Sequence, residues 1–121
     1  MIAEDDGVTV AHLGNILTDS GYVPLAVASG EEAIQRAAEA RPDLVLMDIR
    51  LRGEMDGIEA AEQIHARFGI PVVYLTALPD DESLRQARSA HSSGYIGKPF
   101  TLEELRSTIE IALHPDPWSP F

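Results

Sequence analysis

Three short stretches of this chain carry residues that can do chemistry together. Three acids open the sequence, Glu4-Asp5-Asp6. Asp48 follows the apolar run Leu44-Val45-Leu46-Met47. Thr76 and Lys98-Pro99 follow two further apolar runs. Several carboxylates held close together repel, and one is pushed to a high pKa unless a cation neutralises the group. Oxygen ligands without Cys or His suit Mg²⁺ or Mn²⁺ and not Zn²⁺. A carboxylate beside such an ion is a workable nucleophile toward phosphorus. The ion and a lysine offset the charge on a transferring phosphoryl group, and a threonine hydroxyl can donate a hydrogen bond to one of its oxygens. Asp5, Asp48, Thr76 and Lys98 supply each of these parts.

Singly, each residue has a plainer reading. Asp6 fits the N-cap of a first helix, and Asp48 alone fits a turn after a strand. Thr76 is an ordinary β-branched strand end, Lys98 an ordinary surface lysine, and Tyr95 a half-buried strand aromatic. The chemical reading depends on the elements that bring these positions together.

Ile2-Ala3 is the stub of a strand. Residues 8–20 have helical spacing, with Val10, Leu13 and Ile16-Leu17 on one face, and Gly21 stops them. Residues 23–28 read as a second strand, which Pro24 marks as an edge. Ser29 and Glu32 form a capping box for a helix to about residue 40. Residues 44–47 form a continuous apolar run, as in a strand buried on both faces. Ile58, Ala61, Ile64 and Phe68 give another helix, ended by Gly69. Residues 72–75 are a buried strand ending at Thr76. A weak helix is expected over 80–90, with Leu84 and Ala87 inward, and a short strand holds Tyr95-Ile96. Thr101 and Glu104 form a second capping box, before a stripe of Leu102, Leu105, Ile109 and Ala112-Leu113. The tail, 114–121, contains three prolines.

Five strands alternate with five helices, which implies a parallel sheet covered by helices on both faces. Ligands bind beyond the carboxyl ends of such strands. Glu4-Asp5-Asp6, Asp48, Thr76 and Lys98 all fall there, so they are expected to converge on one crevice.

Composition narrows the function. The chain has 9 Lys+Arg against 20 Asp+Glu, a net charge of −11, and no cysteine. A nucleic-acid duplex would repel such a surface. No apolar run reaches the roughly 18 residues of a membrane span, and the N-terminus lacks the pattern of a signal peptide. A cytoplasmic protein without nucleic-acid or membrane partners is expected. His12, His65, His91 and His114 share no metal-like spacing and read as surface residues.

Glu4-Asp5-Asp6, Leu44-Val45-Leu46-Met47-Asp48, Met55-Asp56-Gly57, Tyr74-Leu75-Thr76-Ala77 and Gly94-Tyr95-Ile96-Gly97-Lys98-Pro99-Phe100 occur in order and at receiver-like spacing. In these pieces the chain resembles the CheY-like response regulator receiver domains of two-component signalling. The resemblance implies a flavodoxin-like, doubly wound (βα)5 fold, with five parallel strands in the order 2-1-3-4-5. It implies that Asp48 takes a phosphoryl group from a sensor histidine kinase or phosphotransfer protein. Asp5 and Asp48 would hold Mg²⁺ with the backbone carbonyl of Arg50, and Glu4 would help through water. Thr76 and Lys98 would contact the phosphoryl oxygens, and Thr76 and Tyr95 would form the switch. The Lys98-Pro99 bond would be cis.

The sequence departs from the family pattern at its short first strand, at Arg52 and Gly53-Glu54 after Asp48, and at Leu78 beside the expected phosphoryl site. Residues 1–113 read as the receiver and 114–121 as a tail, with no output domain. Such a chain is a signalling phosphoacceptor, not an enzyme, although it contributes to its own phosphorylation and dephosphorylation. It would signal by contact with a downstream protein. A weak homodimer is expected through the helix at 80–90 and the final helix, or through the final helix and the tail. Ile109 and Ile111 lie about 160° apart on a helix, so one should be exposed, and Trp118 and Phe121 offer aromatic anchors.

Three rival readings remain. A pseudo-receiver would be an interaction module that is never productively phosphorylated. A phosphate-ester hydrolase with an aspartate nucleophile usually has a second acid two residues on, where this chain has Arg50. A flavodoxin-like nucleotide binder would suffer repulsion between its phosphate and the acidic first loop.

Overall fold

The structure, a computed structural model, describes residues 1–51, 55–76 and 94–114. The expected helix over 80–90 lies outside the described residues, as do Arg52, Gly53, Glu54, Leu78, His91, Trp118 and Phe121.

The apolar run before Asp48 forms β3, Val45–Asp48, buried throughout. On its two flanks lie β1, Ile2–Ala3, and β4, Val72–Thr76. Beyond them are β2, Ala26–Val27, and β5, Gly94–Gly97. All pairings are parallel and the order is β2-β1-β3-β4-β5. The expected strand order is therefore observed. So is the edge position of β2, although it is shorter than residues 23–28. Pro24 has no N–H to give a ladder, and Val23 is exposed.

Among the described residues, four helices cover the sheet: α1, Gly7–Asp19; α2, Gly30–Ala40; α3, Gly57–Phe68; and α4, Leu102–Leu113. Strand alternation separates two cores. Val45, Met47, Val72 and Tyr74 pack with Ala33 and Ala37 of α2 and Ile58, Ala61 and Ile64 of α3. Leu46, Val73 and Leu75 pack with Leu13 and Leu17 of α1 and Leu105 and Ile109 of α4. A strand sandwiched this way must be apolar on both sides, which is why β3 and β4 read as unbroken runs. Cutting back one such side chain, as in Leu46→Ala, costs about 2–5 kcal/mol.

Local signals set the helix ends. The Ser29 hydroxyl accepts from the Glu32 amide at 3.1 Å, and Glu32 Oε1 accepts from Ala28 N at 2.8 Å. The Thr101 hydroxyl accepts from Glu104 N at 3.1 Å. Gly69 takes a left-handed conformation after α3. Arg41 does so after α2 with φ 49°, and its guanidinium lies 4.9 Å from the Phe68 ring centre. Leu102 is a correction to the expected inner stripe: it is 46% exposed. It is the first residue of α4, directly after the cap, and burial begins one turn later at Leu105. Ile109 is buried and Ile111 is 67% exposed, the division that helical geometry required.

Candidate functional site

The carboxyl ends of the three central strands and the segment after β5 converge. β1 delivers Glu4, whose amide continues the ladder by donating to Val27 O at 3.1 Å. The Glu4 side chain is buried, and Asp5 beside it is half-buried. Asp6 has the plainer role expected of it. It is the N-cap of α1, and its Oδ2 accepts from the Thr9 hydroxyl at 2.6 Å. That bond to Thr9 holds the Asp6 carboxyl below its ordinary pKa.

Asp48 is the last residue of β3, and its Oδ1 accepts from Arg50 N at 3.1 Å. The chain then returns to α3, and Gly57 N donates to Ile49 O at 3.1 Å. Thr76, the last residue of β4, is buried. Its carbonyl accepts from Lys98 N at 2.7 Å, which ties the end of β4 to the residues after β5. The Lys98-Pro99 bond is cis, as the resemblance implied. Tyr95 lies on edge strand β5, paired with Tyr74 in register and 40% exposed.

Glu4, Asp5 and Asp48 each offer a carboxylate oxygen within 4.8 Å of the others. One ammonium faces this group. Lys98 Nζ donates to Glu4 Oε1 at 2.9 Å and lies 3.8 Å from Asp48 Oδ2. The sequence did not anticipate the Glu4–Lys98 pair. Burial pushes the Glu4 carboxyl up to about 7, and the adjoining Asp48 carboxylate pushes the same way, while Lys98 draws it down. Glu4 Oε2 is buried without a hydrogen-bond partner among the described residues. An oxygen-only set with excess negative charge and an unpartnered buried oxygen fits a hard divalent cation.

The contacts of three supporting residues were not anticipated from the sequence. Gly57 approaches the backbone of Asp48 so closely that a Cβ would overlap its carbonyl oxygen. Glu31 of α2 accepts from Met55 N at 3.2 Å, which anchors the return of the loop after Asp48. His12 of α1 stacks on Phe100, with ring centres 5.4 Å apart. The Met55-Asp56-Gly57 motif signalled the first of these. No pattern signalled the other two, because each joins residues from separate elements.

A family model for the response regulator receiver domain matches residues 1–110. The transcriptional regulatory protein PdtaR of Mycobacterium tuberculosis is 36% identical over 114 residues, covering 93% of this chain and 55% of that protein. CrdR of Helicobacter pylori is 33% identical over 118 residues, covering 96% of this chain and 55% of that protein. The chain thus spans about half the length of these curated relatives. Among solved structures, the signal receiver domain of a modulated diguanylate cyclase from Desulfovibrio desulfuricans is 37% identical. It superposes with a TM-score of 0.87, over 93% of this chain and 90% of that one. The receiver domain of a sensor histidine kinase from Pseudomonas aeruginosa, with a magnesium ion in its active site cleft, is 30% identical. Its TM-score is 0.84, over 93% of both chains.

Proposed function

The chain belongs to the response regulator receiver domain family, and from that premise we propose that it is a working phosphoacceptor in which Asp48 takes a phosphoryl group from a phosphohistidine. The observation that carries this reading is the convergence on Asp48. Its carboxylate ends a central strand, shares a cluster with Glu4 and Asp5, and lies 3.8 Å from Lys98 Nζ.

In the proposed transfer a carboxylate oxygen of Asp48 forms the new P–O bond as the P–N bond of the donor phosphohistidine breaks, and the imidazole leaves with the bonding electrons. Asp5, Asp48 and the Arg50 carbonyl would hold Mg²⁺, or Mn²⁺ in its place, with Glu4 helping through water. When bound, the ion supplies Lewis-acid neutralisation of phosphoryl charge. The rest falls to this chain. Lys98 turns its ammonium from Glu4 toward the new phosphoryl oxygens. The Thr76 hydroxyl donates to one of them. The Arg50 amide, already bonded to Asp48, orients the carboxylate. Hydrolysis of the acyl phosphate by water returns Asp48.

The partners proposed are a histidine kinase or phosphotransfer protein as donor and a downstream protein as receiver of the signal. A weak homodimer through α4 is a further proposal, supported by exposed Ile111. The net charge of −11 opposes association, so salt should favour it. Sedimentation at two salt concentrations tests it, and a strict monomer in both rejects it.

Mass spectrometry after incubation with acetyl phosphate and Mg²⁺ tests the main reading. One added phosphoryl group on Asp48, absent from Asp48→Asn, is the expected result. No addition would make the chain a pseudo-receiver that acts through contacts alone.

A further inference from the structure

Lys98 reaches two acids from a segment that belongs to no helix or strand. Its ammonium lies 2.9 Å from Glu4 Oε1 and 3.8 Å from Asp48 Oδ2, while residues 98–101 run between the end of β5 and the start of α4. A lysine head sits on a flexible four-carbon stem, so its place in the crevice depends on how firmly the backbone beneath it is held. At one end that hold is the bond from Lys98 N to Thr76 O, at 2.7 Å. At the other, Thr101 caps α4. Between them Phe100 is half-buried against the core shared by α1 and α4. Its ring stacks on His12, with centres 5.4 Å apart and planes inclined by 20°. Aromatic rings attract at this separation when they stack with an offset.

His12 is the firmly seated half of the pair. On α1 it precedes Leu13, which is fully buried, and it shares a side of the helix with Thr9 and Ile16. Thr9 is tied to the Asp6 cap through both its amide and its hydroxyl. Ile16 packs against the same core as Phe100. The helix is therefore anchored on either side of the stack, and Phe100 rests on a fixed surface.

We propose that His12 is a positioning residue for phosphoryl transfer: through Phe100 it holds residues 98–100 against α1, so that Lys98 points its ammonium into the crevice. This rests on the reading of Asp48 as phosphoacceptor and of Lys98 as the group that meets its phosphoryl oxygens. His12 itself touches neither the phosphoryl group nor a proton in transit. Misplacing a positioned group by about 1 Å can cost on the order of 100-fold in rate. Losing one aromatic stack while the Thr76 and Thr101 anchors remain should cost less, about 2–10-fold.

Lys98 is the only lysine in the chain, so isotope-labelled lysine gives one side-chain ammonium signal in the full chain. His12→Ala should move that signal toward the position of a free lysine. His12→Phe keeps a ring against Phe100 and should hold the signal at its wild-type position. A merely structural His12 would lower the unfolding temperature and leave the Lys98 signal in place, and that result overturns the proposal. Equal displacement in both variants overturns it too. Acetyl phosphate with Mg²⁺ then measures labelling of Asp48 without a protein donor, so a lost docking contact cannot account for a change. His12→Ala should label about 2–10-fold more slowly, His12→Phe at the wild-type rate, and His12→Ala should add no further slowing to Lys98→Ala. An unchanged rate in His12→Ala, or full additivity with Lys98→Ala, overturns the proposal. If the wild type takes no phosphoryl group, the phosphoacceptor reading falls and the role in transfer falls with it, while the Lys98 signal still decides whether His12 holds that side chain.

Discussion

Gly57 packs against the backbone carbonyl of Asp48, leaving no room between them for a β-carbon. The contact places α3 directly behind the proposed phosphoacceptor. Backbone cannot yield as a flexible side chain can, so Gly57→Ala has to displace Asp48, α3 or both. Overpacking of this kind costs about 1–3 kcal/mol. Urea unfolding should show that loss. Acetyl-phosphate labelling of the folded variant should also slow, because the Asp48 carboxylate moves with its backbone. Wild-type stability in Gly57→Ala would remove the steric argument.

The two acids flanking Asp5 should behave differently. Glu4 joins the carboxylate cluster and pairs with Lys98, whereas Asp6 caps α1. Asn caps a helix about as well as Asp, so Asp6→Asn should fold normally and keep wild-type Mg²⁺ affinity. Glu4→Gln should weaken it by about 10–100-fold, the usual effect of losing an outer-shell partner. Calorimetric titration of Mg²⁺ measures both, and equal affinities for the two variants would exclude Glu4 from the metal site.

Tyr74 sets an alkaline limit on stability. Its side chain is fully buried, and its hydroxyl has no hydrogen-bond partner among the described residues. Burial pushes the phenol up to about 12, aided by the Glu62 and Asp56 carboxylates. The unfolded chain loses this proton near pH 10, so between about 10 and 12 the folded state binds more protons than the unfolded one. The contribution is complete below pH 10 and is lost as pH rises through 12, on the order of 2–3 kcal/mol. Tyr74→Phe should remove this part of the alkaline decline. At neutral pH it should be neutral or stabilising by up to about 1 kcal/mol, since an unsatisfied hydroxyl is deleted. Urea unfolding of both proteins at pH 8, 10 and 11 checks this, and parallel pH profiles would contradict it.

The sequence made β3 and β4 legible because a strand covered on both faces needs unbroken apolar residues, as at 44–47 and 72–75. Helix boundaries were readable where Ser29, Thr101 and Gly69 act on their immediate neighbours. β2 was overestimated because propensity cannot show how far an edge strand pairs, and Leu102 because periodicity does not show where a helix meets the sheet. Convergence of Glu4, Asp48, Thr76 and Lys98 followed from the rule for strand ends. The pairing of Lys98 with Glu4 did not: it joins residues 94 positions apart and depends on side-chain reach.

The last prediction concerns how occupation of Asp48 is passed on. Thr76 ends β4 opposite Gly97, its carbonyl holds Lys98 N at 2.7 Å, and Tyr95 two residues earlier is 40% exposed. A phosphoryl group on Asp48 gives the Thr76 hydroxyl a strong acceptor. In the proposed switch, moving that side chain toward Asp48 would open space toward β5 for Tyr95. A ligand shifts such an equilibrium only by its difference in affinity for the two states, so in the proposed switch the Thr76 hydrogen bond would be the coupling. Beryllofluoride with Mg²⁺, as a phosphoryl mimic, should shift the amide resonances of residues 94–98 and the ring resonances of Tyr95 toward a buried environment. Thr76→Ala should still bind the mimic through Asp48 and Lys98 while losing the Tyr95 shift. Identical β5 spectra with and without the mimic would rule out the switch, and a full Tyr95 shift in Thr76→Ala would show that the signal travels another way.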